Sequence, residues 1–173
     1  MLNGDDLAKK IFDTISGADP NEDGDIAGKY QRTIKAYLEE NLEVQATFTG
    51  TNPASGATKT CPATGKVNYP TFIFLPAPDN ITFHTNLALA VSGGIITYSD
   101  PTNMLIATPA AFAPGMFTFL FPPSFDAQEG DVLKYMKEYC GNIVSQIKSN
   151  FVILPAAATM DVFVGTVTYN AIT

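Results

Sequence analysis

The stretch from Ile34 to Thr49, IKAYLEENLEVQATFT, changes its hydrophobic period at one point and so decides the fold class. Before Val44, apolar residues such as Ile34, Leu38 and Leu42 recur four positions apart, which is the spacing of a helix with one buried face. From Val44 onward, apolar and polar residues alternate, as they do in a half-buried strand. A helix that leads directly into a strand predicts a protein of mixed α+β class.

Two other segments show helical spacing. A short helix is expected from Leu7 to Ile15, with acidic residues in its first turn, where they favour the helix dipole. A longer helix has Ser124 or Asp126 as its cap and keeps an apolar face from Val132 to about Ser149. With the helix that ends at Glu43, the sequence predicts about three helices.

Strand-like segments occupy much of the remaining chain, but prolines interrupt them. They are expected at Val67 to Leu75, Ile81 to His84, Leu87 to Tyr98, Met116 to Phe121 and Val162 to Ala171. Because proline cannot donate to a sheet, frequent prolines predict edges and breaks rather than a wide regular sheet. We therefore predict an α+β fold in which about three helices pack on a broken, mainly antiparallel sheet with long Pro/Gly/Thr-rich loops.

Three segments are expected to lie outside regular structure. The long loops Thr49 to Gly65 and Asp100 to Pro114 are rich in Pro and small residues, and we expect them to lie on neighbouring molecules. Pro155 to Thr159 is expected to be a short spacer of small residues before the last strand.

The length of 173 residues favours one domain, residues 1–173, divided into three parts by charge. Residues 1–43 form an acidic helical part with a net charge of -5, and residues 44–125 form a charge-poor β region with a net charge of 0. Residues 126–173 form a helix-strand C-terminal part that carries the remainder of the net charge of -7.

The β region carries few ionised side chains. Between Val44 and Phe125 only Lys59, Lys66, Asp79 and Asp100 are charged. A soluble monomer normally spreads charges over its exterior, whereas a subunit enclosed by neighbours can present apolar and small polar residues. We expect this region to be an assembly surface; the alternative is that Thr, Ser and Asn side chains provide its solvation.

Several classes of partner are disfavoured by composition and pattern. A net charge of -7 with a single arginine, Arg32, opposes binding to nucleic acid. Proline, glycine and serine residues interrupt each apolar run before it is long enough to span a membrane. Residues 1–15 lack the apolar run of a secretory signal. The glycine pair Gly93 and Gly94 lacks the other parts of a phosphate-binding loop. We expect no nucleic acid, no membrane span, no small-molecule substrate and synthesis in a cytoplasm.

The residues available for catalysis are few. His84 is the only histidine, and the sequence around it lacks a nucleophile motif, so a hydrogen-bonded structural role is expected. Cys61, in a Thr/Gly-rich loop, and Cys140, in a helix, are expected to be free thiols. Two cysteines and one histidine cannot supply four ligands to a zinc site. The expectation is a protein that is not an enzyme, with no catalytic, cofactor-binding or metal-binding residues.

An acidic segment from Asp19 to Ile26, DPNEDGDI, matches the first eight places of a calcium-binding loop. The twelfth place is Tyr30 and the ninth is Ala27, so the bidentate carboxylate that closes such a site is missing. A turn-and-cap linker between two helices is therefore expected. The alternative is a calcium-dependent binding module whose ligands are Asp19, Asn21, Asp23 and Asp25.

The order of elements in the first 70 or so residues resembles small virion structural proteins of tailed bacteriophages. The likeness comprises a short helix, Leu7 to Ile15, an acidic break, Asp19 to Gly24, a helix ending YLEENLEV at Val44, and the Gly/Thr/Pro-rich extension Thr49 to Val67. This resemblance is one of layout, so it assigns no role to any single residue.

The resemblance implies a structural subunit of a large assembly, a tailed-phage virion component of the tail, neck or baseplate. Its partners would be copies of itself and other structural subunits, and it would reside in the virion after synthesis in the host cytoplasm. A capsid decoration protein is the alternative within the same class, and the calcium-dependent module is the alternative outside it.

Overall fold

Four helices and a seven-stranded sheet form the part of the chain described by a computed structural model, residues 1–16, 26–73, 80–100, 102, 104–113 and 132–173. The helices are α1 (Gly4–Ser16), α2 (Ile26–Asn41), α3 (Asn80–Ser92) and α4 (Val132–Asn150). The strands are β1 (Glu43–Thr51), β2 (Thr58–Asn68), β3 (Ile95–Ser99), β4 (Leu105–Ala107), β5 (Ala110–Ala111), β6 (Ala156–Met160) and β7 (Phe163–Ile172). The α+β class is confirmed, and four helices replace the expected three.

All strand pairs are antiparallel, in the order β4-β6-β7-β1-β2-β3-β5. The central strand β1 buries Val44, Ala46 and Phe48 and turns the residues between them outward, as the alternation in the sequence predicts. The inner face of the sheet and the helices thereby share one hydrophobic core.

The expected loop from Thr49 to Gly65 is instead most of a β-hairpin. β1 pairs with β2 from Glu43 opposite Lys66 to Thr51 opposite Thr58. Only residues 52–57 form the connection, where the Asn52 side chain accepts hydrogen bonds from two backbone N–H groups and Gly56 adopts a φ of 71°. Threonine is a strong strand former, so its abundance in this segment favours strand structure rather than a long loop.

One segment, residues 105–113, is hydrogen-bonded to both ends of the sheet. Its first part, β4, pairs with β6, and its second part, β5, pairs with β3. Past β5, Phe112 forms a bridge with Ile153, and the Ala113 N–H donates to the Val152 carbonyl oxygen at 2.7 Å. The sheet therefore curls until its two ends meet, and the expected loop from Asp100 to Pro114 is partly strand.

The expected strands at Ile81 to His84 and in the first half of Leu87 to Tyr98 are wrong, since both segments lie in α3. The buried residues His84, Leu87, Ala88 and Val91 follow helical spacing along one face. Isoleucine, threonine and phenylalanine at the start of the segment favour strand locally, and burial of this face overrides that preference. Only Ile95–Ser99 in this region is a strand, β3.

The expected spacer from Pro155 to Thr159 is also wrong, because Ala156–Met160 is strand β6. Its alanines alternate between the core and the outer face of the sheet. Because core and outward positions carry the same small side chain, the sequence does not show the two-residue period of a strand. A two-residue turn, in which Asp161 adopts a φ of 53°, joins β6 to β7. The C-terminal strand is confirmed as β7.

The N-terminus is held against the helices by polar contacts. The Tyr37 hydroxyl donates to the Asn3 carbonyl oxygen and accepts from the Asn3 N–H, each at 2.7 Å. Lys148 donates to the Leu2 carbonyl oxygen at 3.0 Å, and Leu2 itself is buried. These contacts fix α1 between α2 and α4.

We predict that Gly4→Ala destabilises the protein and that Gly141→Ala does not. A Cβ added to Gly4 would contact the backbone of Gly141, lying 2.5 Å from its nitrogen, so α1 and α4 must separate. A Cβ added to Gly141 meets nothing within 4 Å. Urea unfolding should show a loss of about 2 kcal/mol for the first variant and a gain of up to about 1 kcal/mol for the second. Equal losses would contradict this packing.

Candidate functional site

His84 lies in an aromatic cluster where α2, α3 and α4 meet. Only 9% of the residue is exposed. Its ring centroid lies 5.5 Å from that of Phe83 and 5.6 Å from that of Tyr139, and the Phe83 ring packs in turn against Tyr30 on α2. The histidine is thus part of the packing between helices.

Burial drives the titratable groups of this cluster toward their neutral forms. Desolvation lowers the pKa of His84 and raises the pKa of the Tyr30 and Tyr139 phenols. It also raises the pKa of the neighbouring Cys140 thiol to about 12. A nucleophile is activated by the opposite shift, toward a thiolate or an alkoxide. The cluster therefore does not assemble an activated nucleophile from these residues.

The two cysteines are free and buried in different parts of the core. Cys140 lies in α4 as expected, but Cys61 lies in β2 rather than in a loop. The Cys61 thiol donates a hydrogen bond to the Met160 sulfur at 3.3 Å, across the interior of the curled sheet. In the part of the chain that the structure describes, His, Cys, Asp and Glu do not gather into a group of three that could hold a metal ion.

The acidic segment Asp19 to Asp25, with its four candidate calcium ligands, lies outside the described residues. The same holds for the candidate caps Ser124 and Asp126 and for the expected strand Met116 to Phe121. Tyr30, at the twelfth place of the calcium-loop pattern, packs in the aromatic cluster, 6.4 Å from the Phe83 ring.

We predict that His84 makes the stability of the protein fall in mild acid. Its folded-state pKa lies below the ordinary 6.5, so the unfolded chain binds a proton more readily than the folded chain. Stability is therefore complete above pH 6.5 and declines, by up to about 1.4 kcal/mol per pH unit, until the pH reaches the folded-state pKa. His84→Gln should remove this decline, measured by urea unfolding between about pH 7 and 5.5. Because the chain has one histidine, a proton NMR titration that gave a pKa of 6.5 or higher would contradict the prediction.

The outer face of the sheet is an extended uncharged surface across β6, β7, β1 and β2. Strand register places Thr49 between Thr60 and Thr166, and Thr51 between Thr58 and Val164. The threonines that point outward here are Thr47, Thr49, Thr51, Thr58, Thr60, Thr64, Thr159, Thr166 and Thr168. Neighbours lie about 4.8 Å apart across strands and about 6.6 Å apart along them. We call this surface the threonine face.

One ion pair lies on the threonine face, at the end where β1 begins: Lys66 lies 3.0 Å from Glu43. Lys59 lies opposite the buried Gly50 in the register, on the inner side of the sheet, and its ammonium lies 3.5 Å from Asp161. Apart from Glu43 and Lys66, the described outward residues of β6, β7, β1 and β2 are uncharged. Outward threonine side chains therefore line the outer faces of β1 and β2.

A shallow groove of about 310 Å³ lies at the β4 side of the threonine face. Ala157 and Gly165 are among the residues that line it. Ile106 and Val164 rise at its sides, and they are 68% and 56% exposed. Both pair with Thr159, so the three side chains form one row across β4, β6 and β7. We call this feature the Ala157 groove.

Neither the threonine face nor the Ala157 groove was predicted as a site. The signal is present in the sequence as threonines spaced two residues apart, such as Thr47, Thr49 and Thr51 in β1 and Thr166 and Thr168 in β7. Ile106 could not be placed from sequence, because its strand has only three residues and pairs far along the chain.

No protein-family model, curated protein or solved structure matches this chain. Within the described ranges, none of the helices is both long enough and apolar enough to span a membrane.

Proposed function

We propose that this protein is a structural subunit of a larger protein assembly and not an enzyme. The single observation that carries the proposal is the uncharged outer surface of the sheet, which combines the threonine face with exposed aliphatic side chains at the Ala157 groove. Charge is depleted and aliphatic residues are exposed where protein surfaces meet.

The distribution of charge supports the same role. Residues 1–43 hold most of the net negative charge, and the described part of that segment forms α1, α2 and the start of β1. Copies of an anionic protein repel each other least through a surface that carries no charge. The neutral forms favoured in the His84 cluster support a packing role for those residues.

The more specific proposal is a virion component of a tailed phage, from the tail, neck or baseplate, with copies of itself and other structural subunits as partners. The layout of the first 70 or so residues supports it, in particular α1 followed by α2 and β1. Under this proposal the protein resides in the virion after synthesis in the host cytoplasm. A capsid decoration protein would present the same kind of surface.

The proposal is tested by the mass of the native complex. Purification from the source organism or lysate under mild conditions should recover the chain in a complex of fixed stoichiometry, visible as uniform particles in negative-stain images. Quantitative mass spectrometry should give a constant copy number relative to its partners. A chain recovered as a monomer, without a stoichiometric partner, and monomeric at high concentration after purification would refute the proposal.

A further inference from the structure

We propose that the Cys61 thiolate and the Met160 thioether together bind one soft monovalent cation, Cu(I), inside the curled sheet. The inference goes beyond the proposed function, because it assigns a ligand to the interior of the sheet, whereas the proposed function concerns its outer surface. The site takes one sulfur from each of two strands that are not neighbours in the sheet.

The two sulfur atoms meet where the sheet curls over itself. Cys61 faces inward on β2 and Met160 faces inward on β6. In the order of the sheet, β1 and β7 lie between these two strands. The Cys61 Sγ nevertheless lies 3.3 Å from the Met160 Sδ. Opposite walls of the interior therefore hold two donor atoms against each other.

A row of small residues lies between the two strands. Ala158, Gly165 and Gly50 are neighbours in the register across β6, β7 and β1, and they lie on the inner side of the sheet. None of them has a side chain larger than a methyl group. The Met160 side chain crosses above this row and reaches the Cys61 thiol.

The donor set selects the ion. Thiolate and thioether sulfurs are soft ligands, which favour Cu(I). Structural zinc takes four ligands, and the pair supplies only two. In the described ranges, no group of three His, Cys, Asp or Glu side chains could hold such an ion. The charge of the ion is also selected, because a monovalent cation on one thiolate is neutral, whereas a divalent cation would leave a net charge in an apolar interior.

Binding requires a small movement of the sulfurs. With metal–sulfur bonds of about 2.3 Å, two sulfurs on opposite sides of an ion lie about 4.6 Å apart. The sulfurs must therefore separate by about 1 Å. Met160 allows this movement, because a methionine side chain is unbranched and has three rotatable bonds. Met160 is fully buried and Cys61 is 8% exposed, so the ion enters beside the thiol.

The binding step exchanges a proton for the ion. The S–H bond of Cys61 breaks, an S–Cu bond forms, and the proton passes to the solvent. The Met160 sulfur adds a lone pair and loses no group. Copper stays Cu(I), so the step consumes no oxidant or reductant. Because a proton is released, the apparent affinity should rise with pH.

The first test compares two methionine variants by competition for Cu(I) with a chelating dye in the absence of oxygen. Met160→Leu keeps the side-chain volume and removes the sulfur, so the dissociation constant should rise by about tenfold or more. Met104→Leu removes a sulfur that is 78% exposed just before β4, and it should bind as the parent does. Equal affinities of the two variants, or a parent that takes no Cu(I) from the dye, would overturn the inference.

A second pair of variants compares the two thiols. Cys61→Ala should abolish one-to-one binding of Cu(I), measured by native mass spectrometry. Cys140→Ala removes the other buried thiol, in α4, and should leave the binding intact. Binding that survives in Cys61→Ala, or that is lost in both variants, would contradict the site. Circular dichroism spectra of the two variants show whether each is folded.

A measurement on the parent protein does not depend on how the variants fold. The carbon-13 methyl NMR signal of Met160, identified by its loss in Met160→Leu, should shift when one equivalent of Cu(I) is added. The signal of Met104 should stay in place. If Cu(I) binds and the Met160 signal does not move, Cys61 holds the ion alone and the inference fails. None of these measurements involves the native complex, so the proposed function stands or fails separately.

Discussion

Replacing Gly165 by alanine should disrupt the centre of the sheet and lower the free energy of unfolding by about 3 kcal/mol or more. β7 and β1 approach closely here, since Gly165 lies opposite Gly50 in the register. A Cβ on Gly165 would contact the backbone of Thr49, 2.7 Å from its carbonyl carbon, and backbone atoms cannot rotate away as a side chain can. The two strands would therefore have to separate.

The control is Gly93→Ala, in the turn after α3. The atom nearest to a Cβ there is the Ala90 carbonyl oxygen at 3.4 Å, which is an ordinary contact. Chemical denaturation should show a change below about 1 kcal/mol for this variant. A Gly165→Ala protein as stable as Gly93→Ala would show that β1 and β7 are farther apart than described.

The second large effect is expected for Phe48→Ala, which should cost about 3 to 5 kcal/mol. Phe48 is fully buried on the inner face of β1. Its ring fills the space beside Gly50, since a Cβ on that glycine would lie 2.5 Å from the Phe48 Cζ. Truncation leaves a cavity in the middle of the core, next to a position that has no side chain to fill it.

Phe163→Ala is the matched control for the loss of a phenyl ring. Phe163 is only partly buried, at the start of β7, where the Lys59 ammonium lies 5.6 Å from its ring centroid. Its truncation should cost about 1 kcal/mol, because solvent can occupy the space that the ring leaves. The two variants are compared by thermal and urea unfolding. Similar losses would mean that Phe48 does not fill the core as described.

The elements that sequence predicts well are those with large side chains at a clear period. In β1, core residues such as Phe48 alternate with outward threonines, and in α4 apolar residues such as Ile143 and Ile147 recur at helical spacing. The sequence therefore predicts both elements at their observed positions. α2 follows the same rule and leads into β1 with only Leu42 between them.

The elements that sequence misses have weak or misleading periodicity. In β6 the core positions Ala156 and Ala158 are as small as the outward position Ala157, so hydropathy alone does not show the period of two. α3 is apolar over much of its surface, as at the exposed Leu89, and strand-forming residues occupy its first turn. In β6 and α3, burial against distant parts of the chain determines the secondary structure. A pattern read from neighbouring residues does not contain that information.

The candidate site was missed for a different reason. Composition predicts a threonine-rich loop at Thr49 to Gly65, whereas strand pairing gathers these threonines on one face of the sheet. The Ala157 groove depends on the pairing of β4 with β6 and of β6 with β7. Chain positions about 50 residues apart, such as Ile106 and Thr159, become neighbours only through this pairing.

The double pairing of residues 105–113 has a consequence for how copies can meet. Exposed strand borders serve as templates on which further chains add backbone to backbone, which is the route to fibrils and swapped strands. Here that segment occupies the border beside β6 and the border beside β3. Its two parts, β4 and β5, are the border strands of the described sheet, and with three and two residues they offer little backbone for such addition. We therefore expect contacts between molecules to use side chains, so clusters of this protein should dissolve on dilution and regrow when concentrated, without the seeding lag typical of amyloid.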